Sequence, residues 1–375
     1  MPTTYQIVLD GQPADDDLHA AVQGLEVEES LDAPGAAQLT LAVNRTEDGD
    51  LTMVADPRFR PLAPVAVVAG ADAGKQCVFD GVVLAHAATL PPGLAGASVR
   101  VWAHDATWLM STEEKVREWA GVTDDAVAAA IFGEYGFAPA PANAADESPA
   151  HPESDHTLMQ RGTDAQFLRT LARRTGKVFR VASADKPDAR TGYFAKPSLD
   201  APPVVELKPN DPSEPNVGAL ELKWDVARPT AVMARQALFT DPTPDGVAGD
   251  AAESGLTPLD ERPLAVFAGA PNTAQLAAPA DTAGELLMRA KAVLRDAGWF
   301  VRCECEVNAG RVNVILRAGD VVQVNGVGAL HSGKYLVWGV RHAIGRDAHT
   351  MKLTLVRNAV GPEAAAGGGG LLGLL

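Results

Sequence analysis

The chain opens in alternation. Tyr5, Ile7 and Leu9 take turns with polar neighbours, and the same period of two returns at Leu39, Leu41 and Val43 and at Val99, Val101 and Ala103. A period of two puts every second side chain on one face of a strand, so residues 1–106 read as short strands with one buried face. Ala33-Pro34-Gly35 and Leu90-Pro91-Pro92-Gly93 supply turns between them, and no helix is expected here. The pattern then turns helical. Thr123 caps a helix over 126–135, with Asp124 and Asp125 in its first turn and Gly136 at its end. A second helix is clearer. Thr163 and Gln166 form a capping box, Phe167, Leu168, Leu171 and Ala172 line one face, and Arg169, Arg173 and Arg174 occupy the other. Gly176 stops it, and Val178, Phe179 and Val181 begin a strand.

Residues 138–152 read as a Pro/Ala-rich connector and 184–215 as an exposed excursion with a short strand at 204–207. Strands resume at Leu220, Leu222 and Trp224, and 241–279 reads as a long loop. A third helix starts at Thr282 with Glu285, carries Leu286, Leu287, Ala290, Val293 and Leu294, and stops at Gly298. Val301, Cys303, Cys305 and Val307 then alternate with charged residues. Asn308-Ala309-Gly310 is expected to be a hairpin turn into a strand over 312–316. Further strands are expected at 321–324, 335–340 and 351–356. The fold class is therefore α+β and mostly β, with two β-regions of similar size around a helical insert.

Composition narrows the chemistry. An apolar fraction of 46% in 375 residues supports a sizeable core without disulfides. The 32 basic and 48 acidic side chains leave a net charge of −16, which disfavours nucleic acid as a partner. No secretory signal is expected from Met1-Pro2-Thr3-Thr4-Tyr5, and no apolar run is long enough to insert in a membrane. Cys77, Cys303 and Cys305 fit folding in a reducing cytoplasm.

Candidate ligands are sparse. Cys303 and Cys305 point the same way on a strand, but two more ligands at a suitable spacing are missing, so they read as core residues. His151, Glu153, Asp155 and His156 form the densest polar group, in a connector where polar residues are ordinary. His331, His342 and His349 read as solvated positions at strand edges. Gly70-Ala71-Asp72-Ala73-Gly74-Lys75 lacks the Ser or Thr of a phosphate loop and reads as a hairpin turn. Asp15-Asp16 and Asp124-Asp125 fall at helix caps or solvent loops. No catalytic residues, metal site or cofactor are expected. The glycines at 367–370 precede Leu371, Leu372, Leu374 and Leu375, which read as a partner-binding apolar anchor on a Gly-rich tether.

Three segments together resemble a known family. Phe79-Asp80-Gly81-Val82-Val83 and Val99-Arg100-Val101-Trp102-Ala103-His104-Asp105 resemble the first barrel of the phage late control protein D family. The stretch Gln160-Arg161-Gly162-Thr163-Asp164-Ala165-Gln166-Phe167-Leu168 and its continuation through Gly176-Lys177-Val178-Phe179 resemble that family and the VgrG spike proteins of type VI secretion. Arg317-Ala318-Gly319-Asp320-Val321, Ser332-Gly333-Lys334-Tyr335 and Leu355-Val356-Arg357-Asn358 resemble the second barrel.

The resemblance implies two tube-like β-barrel domains, 1–106 and 218–360, flanking an insert at 107–217, with a tail at 361–375. It implies a homotrimeric, non-enzymatic baseplate hub that presents a pseudo-sixfold ring. Its partners would be a hexameric tail tube, a trimeric spike carried on a separate polypeptide, and other baseplate proteins. Such a hub is made in the cytoplasm and incorporated in a phage tail-like particle. A cell-wall-degrading tail enzyme and a carbohydrate-binding β-protein stay open as alternatives from other classes.

Overall fold

The computed structural model describes residues 4–71, 74–141, 150–151, 157–236, 247–278, 280 and 282–362. The first β-region supplies β1 (Thr4–Leu9), β2 (Val22–Ser30), β3 (Ala36–Ala42), β4 (Pro64–Ala71), β5 (Gly74–Thr89) and β6 (Ser98–Asp105). Alternation has the expected result: Leu25, Val27, Leu39, Leu41, Val99 and Val101 are buried, and polar neighbours face outward. Ala71 of β4 pairs with Gly74 of β5, so the Gly70–Lys75 stretch joins two antiparallel strands. One short helix, Asp16–Ala21, breaks the all-strand expectation for this region, because the Asp15 carboxylate caps it by accepting from Leu18 N at 2.8 Å.

The insert holds β7 (Glu114–Trp119), α1 (Asp124–Glu134), β8 (Leu158–Thr163), α2 (Asp164–Thr175), β9 (Val178–Ser183) and β10 (Arg190–Ala195). Both arms of the capping box are present at α2, and Gly176 ends the helix at φ 65°, a conformation that glycine adopts without a Cβ penalty. Phe167, Leu168 and Leu171 meet Val127, Ile131 and Phe132 of α1 in a core built from the insert, with only Ala106 added from the first β-region. Each large apolar side chain so buried contributes roughly 1.5–3 kcal/mol. β10 lies inside the expected excursion. It was hidden because Gly192 interrupts its apolar pattern, yet all six residues pair antiparallel with β9.

The second β-region contains β11 (Val217–Trp224), β12 (Ala231–Gln236), β13 (Thr273–Leu276), α3 (Ala283–Gly298), β14 (Val301–Asn308), β15 (Val321–Val324), β16 (Gly333–Ile344) and β17 (His349–Arg357). The expected loop at 241–279 is not structureless among its described residues: β13 runs parallel to β12, and a short helix spans Leu264–Ala268. Leu286, Ala290 and Leu294 of α3 cover Val232 and Ala234 of β12. The expected hairpin at Asn308 is absent. The Asn308 side chain accepts from Gly310 N and Arg311 N and caps a short helix, Ala309–Val312, instead. β14 therefore pairs with β11 and β17 rather than with residues 312–316.

The two β-regions share one sheet. Its strand order is β11-β14-β17-β16-β2-β3-β6-β5-β4-β1, with Gln12–Pro13 beyond β1, and β15 also pairs with β16. The join is β16 against β2, antiparallel from Gly339↔Ser30 to Ile344↔Leu25. One apolar core, including Leu25, Leu41 and Val101 from one side and Val301, Leu353 and Leu355 from the other, runs beneath both. Among the described residues no helix is long and apolar enough to cross a membrane.

Candidate assembly surface

Pairing aligns outward side chains in rows that cross both β-regions. One row is Glu306, Lys352, Arg341, Glu28, Ala36 and His104, taken from β14, β17, β16, β2, β3 and β6 in turn. The next is Asn308, Thr350, Ala343, Glu26, Gln38 and Trp102. The residues between them along each strand point into the core. This face is polar and mixed in charge. Arg341 pairs with Glu26, and Trp102 Nε1 donates to Gln38 Oε1 at 2.8 Å. Exposed pairs of this kind contribute about 0–1 kcal/mol, so the rows do little for the fold. They form a broad, solvated wall.

What holds that wall to the insert is buried. Glu29, at the end of β2, is only 9% exposed and sits where the three regions meet. Its carboxylate accepts from Arg317 Nε at 2.8 Å and Nη2 at 3.2 Å, and from Arg180 Nη1 of β9 at 3.0 Å. Ala318 N adds a further donor at 3.3 Å. Burial pushes the Glu29 carboxyl up, but Arg317 and Arg180 outweigh it and hold the group below its ordinary range. Asp80 of β5 forms a parallel clamp. It accepts from Arg190 Nε and Nη2, both at 2.8 Å, and from Asp188 N at 2.9 Å. Arg295 of α3 ties the third core to the insert by donating to Thr175 O at 2.6 Å and Ser254 O at 2.7 Å.

The residues singled out for chemistry are distributed through the fold. Cys303 and Cys305 face the core, and the thiol of Cys303 is raised by its hydrogen-bonded neighbour Cys305 and by burial. His331 is half-buried in the turn before β16. His342 and His349 are not at solvated edges. They are buried on the core side of β16 and β17, with His342 Nδ1 and His349 Nε2 2.9 Å apart. Burial pushes them down to about 3 and about 4, so both rings are neutral at pH 7. Beyond the β-bulge between Val337 and Gly339, β16 turns inward at even positions (340, 342, 344) while β17 does so at odd ones.

Asp124 also departs from expectation. It is fully buried, with His151 Nε2 at 2.7 Å and Arg174 Nη2 at 3.0 Å from its Oδ1. Glu153, Asp155 and His156 lie outside the described residues, as do Leu371, Leu372, Leu374 and Leu375. Among the described residues no group of three or more His, Cys, Asp or Glu converges as metal ligands. The sequence signal for the clamps was weak: Glu29 follows two other acids, Glu26 and Glu28, and only strand parity sets it apart as inward-facing.

The profile of the phage tail baseplate hub (GPD) family matches residues 28–348. The curated proteins give no match. Among solved structures, the chain is similar to a tail protein from Neisseria meningitidis, at 14% identity over 96% of this chain and 97% of that one, with a TM-score of 0.67. It is equally similar to the 43 kDa tail protein of prophage MuSo2 from Shewanella oneidensis, at 14% identity over 96% and 99% of the two chains, TM-score 0.67. A third likeness is to an E. coli type VI secretion component described as similar in structure to the T4 tail proteins gp27 and gp5. There the identity is 15% over 96% and 79%, with a TM-score of 0.57. At such identities the likeness is one of fold.

Proposed function

The chain belongs to the phage tail baseplate hub family, and from that membership we propose that three copies close into a ring adapting a sixfold tail tube to a threefold spike. Each copy contributes two tube-like β-modules, residues 1–106 and 218–360, with the insert at 107–217 clamped beside them. The observation that carries this reading is the β16–β2 join, which sets the two β-regions edge to edge in one sheet. Three such pairs make six similar positions around an axis, and a head-to-tail contact between copies closes the ring by rotation. The polar rows then face a water-filled lumen or the neighbouring ring. Buried charges in this scheme act structurally: Glu29, Asp80 and Arg295 keep the insert in register with the sheet. The particle is a phage tail or a related contractile apparatus, and the job is symmetry matching rather than catalysis.

The test is assembly. Light scattering of the purified chain mixed with the tube and spike proteins of its own gene cluster is expected to give a complex containing all three. A 39.1 kDa species indifferent to both would contradict the proposal.

A further inference from the structure

A cleft of ≈ 710 Å³ opens between α2 of the insert and α3 of the second β-region. Its volume falls in the range of roughly 300–1,000 Å³ typical of sites that enclose a ligand. Leu256, Leu276, Ala278, Val293, Trp299 and Trp338 line it, and each is only half-buried. Packed cores rarely leave two tryptophans and three branched aliphatics together at a partly open wall. Cations also line the cleft; Arg173 is exposed, and the others are engaged elsewhere. Arg174 pairs with Asp124 at 3.0 Å, Arg289 with Glu285 at 2.6 Å, and Arg295 donates to the Ser254 and Thr175 carbonyls. Apart from exposed Arg173, which Asp32 and Asp296 balance at the rim, the unmet surface is apolar, which favours an aliphatic occupant over an anion.

The same sequence carries one. Leu371, Leu372, Leu374 and Leu375 form a short aliphatic segment on a tether with glycines at 367–370. The tether starts close by. Val356 packs in one cluster with Leu256, Trp299 and Trp338, and Asn358 Nδ2 donates to Thr257 O at 3.0 Å, one residue from the cleft wall. From Pro362 to Leu371 the chain extends up to ~30 Å, against ~13 Å for the return from Pro362 to Asn358.

We propose that the leucine segment at 371–375 docks in cis in the α2–α3 cleft, between Trp299 and Trp338 on one side and Leu276 and Val293 on the other. This inference goes beyond the hub proposal and does not depend on ring formation, because it concerns the isolated chain.

The experiment is hydrogen exchange with tryptophan quenching by acrylamide on the full chain, compared with the L371S/L372S/L374S/L375S variant. Loss of docking is expected to speed exchange of α3 amides over 289–298 by about tenfold and to increase quenching. Adding a synthetic peptide of residues 367–375 should restore protection in the variant. It should not do so when Val293→Asp is also present, and circular dichroism of V293D checks that the fold persists. The wild-type protection should not vary with protein concentration. Identical exchange in wild type and tail variant, concentration-dependent protection, or protection by inorganic phosphate and not by the peptide would each overturn the proposal.

Discussion

Removing the Glu29 carboxylate should open the seam between the two β-regions and the insert. In Glu29→Ala, the guanidinium groups of Arg317 and Arg180, whose side chains are 14% and 13% exposed, lose their shared partner while staying largely out of water. Breaking one side of a buried ion network costs about 3–5 kcal/mol, most of it the cost of the stranded charges. At about 1.4 kcal/mol per factor of ten, amides that exchange by opening of this seam should speed up roughly 10²- to 4 × 10³-fold. A chain with several cores does not unfold in one step, so hydrogen exchange of the Gly339–Ile344 and Leu25–Ser30 amides is the appropriate assay rather than one melting temperature. Replacing Glu29, Arg180 and Arg317 together by Met should recover much of the loss, since no stranded charge is left.

Acid should mimic the single variant. The Glu29 carboxyl is held below its ordinary value, so its contribution is complete above the usual carboxylate range and disappears as the pH falls through the lower folded value. A cost under ~1 kcal/mol in Glu29→Ala, or the same exchange in the single and triple variants, would refute the clamp as the basis of the seam.

Other outcomes follow from the same packing. His342 and His349 are pushed down to about 3 and about 4, so the unfolded chain binds more protons than the folded one below pH 6.5. Stability should fall by up to about 2 kcal/mol per ring between pH 6.5 and 5, and H342L/H349L should flatten that slope in denaturant titrations. Gly81→Ala would place a Cβ 1.9 Å from His104 O across the β5–β6 pair, and it is expected to abolish soluble expression or displace β6, detectable by proteolysis. Burial pushes the Cys77 thiol up to about 12, and Cys303 is raised as well, so native protein at pH 8 should resist a thiol reagent that labels all three cysteines in denaturant.

Local signals carried much of the fold. The capping box at Thr163, the glycine at 176 and the Thr282 cap needed no tertiary partner to be read, and each stands where the chain's own chemistry puts it. Strands with clean alternation, such as β3, β6 and β14, were equally legible. Elements that depend on distant partners were not. β10 has little apolar pattern of its own and exists through its ladder with β9, and β13 through β12. Asn308 was read as a turn residue because the same side chain that favours turns also caps helices. The seam could not be read at all. Arg180 and Arg317 lie 151 and 288 residues from Glu29 along the chain, on the insert and on the approach to β15, and only the tertiary fold brings the three together.

The most direct test of the central claim is the number of copies in the assembled particle, counted by electron cryomicroscopy of the tail end without imposed symmetry. Three copies, each filling two adjacent positions of a six-position ring against the tube, is the predicted result. Six copies, or a single copy off the axis, would contradict it.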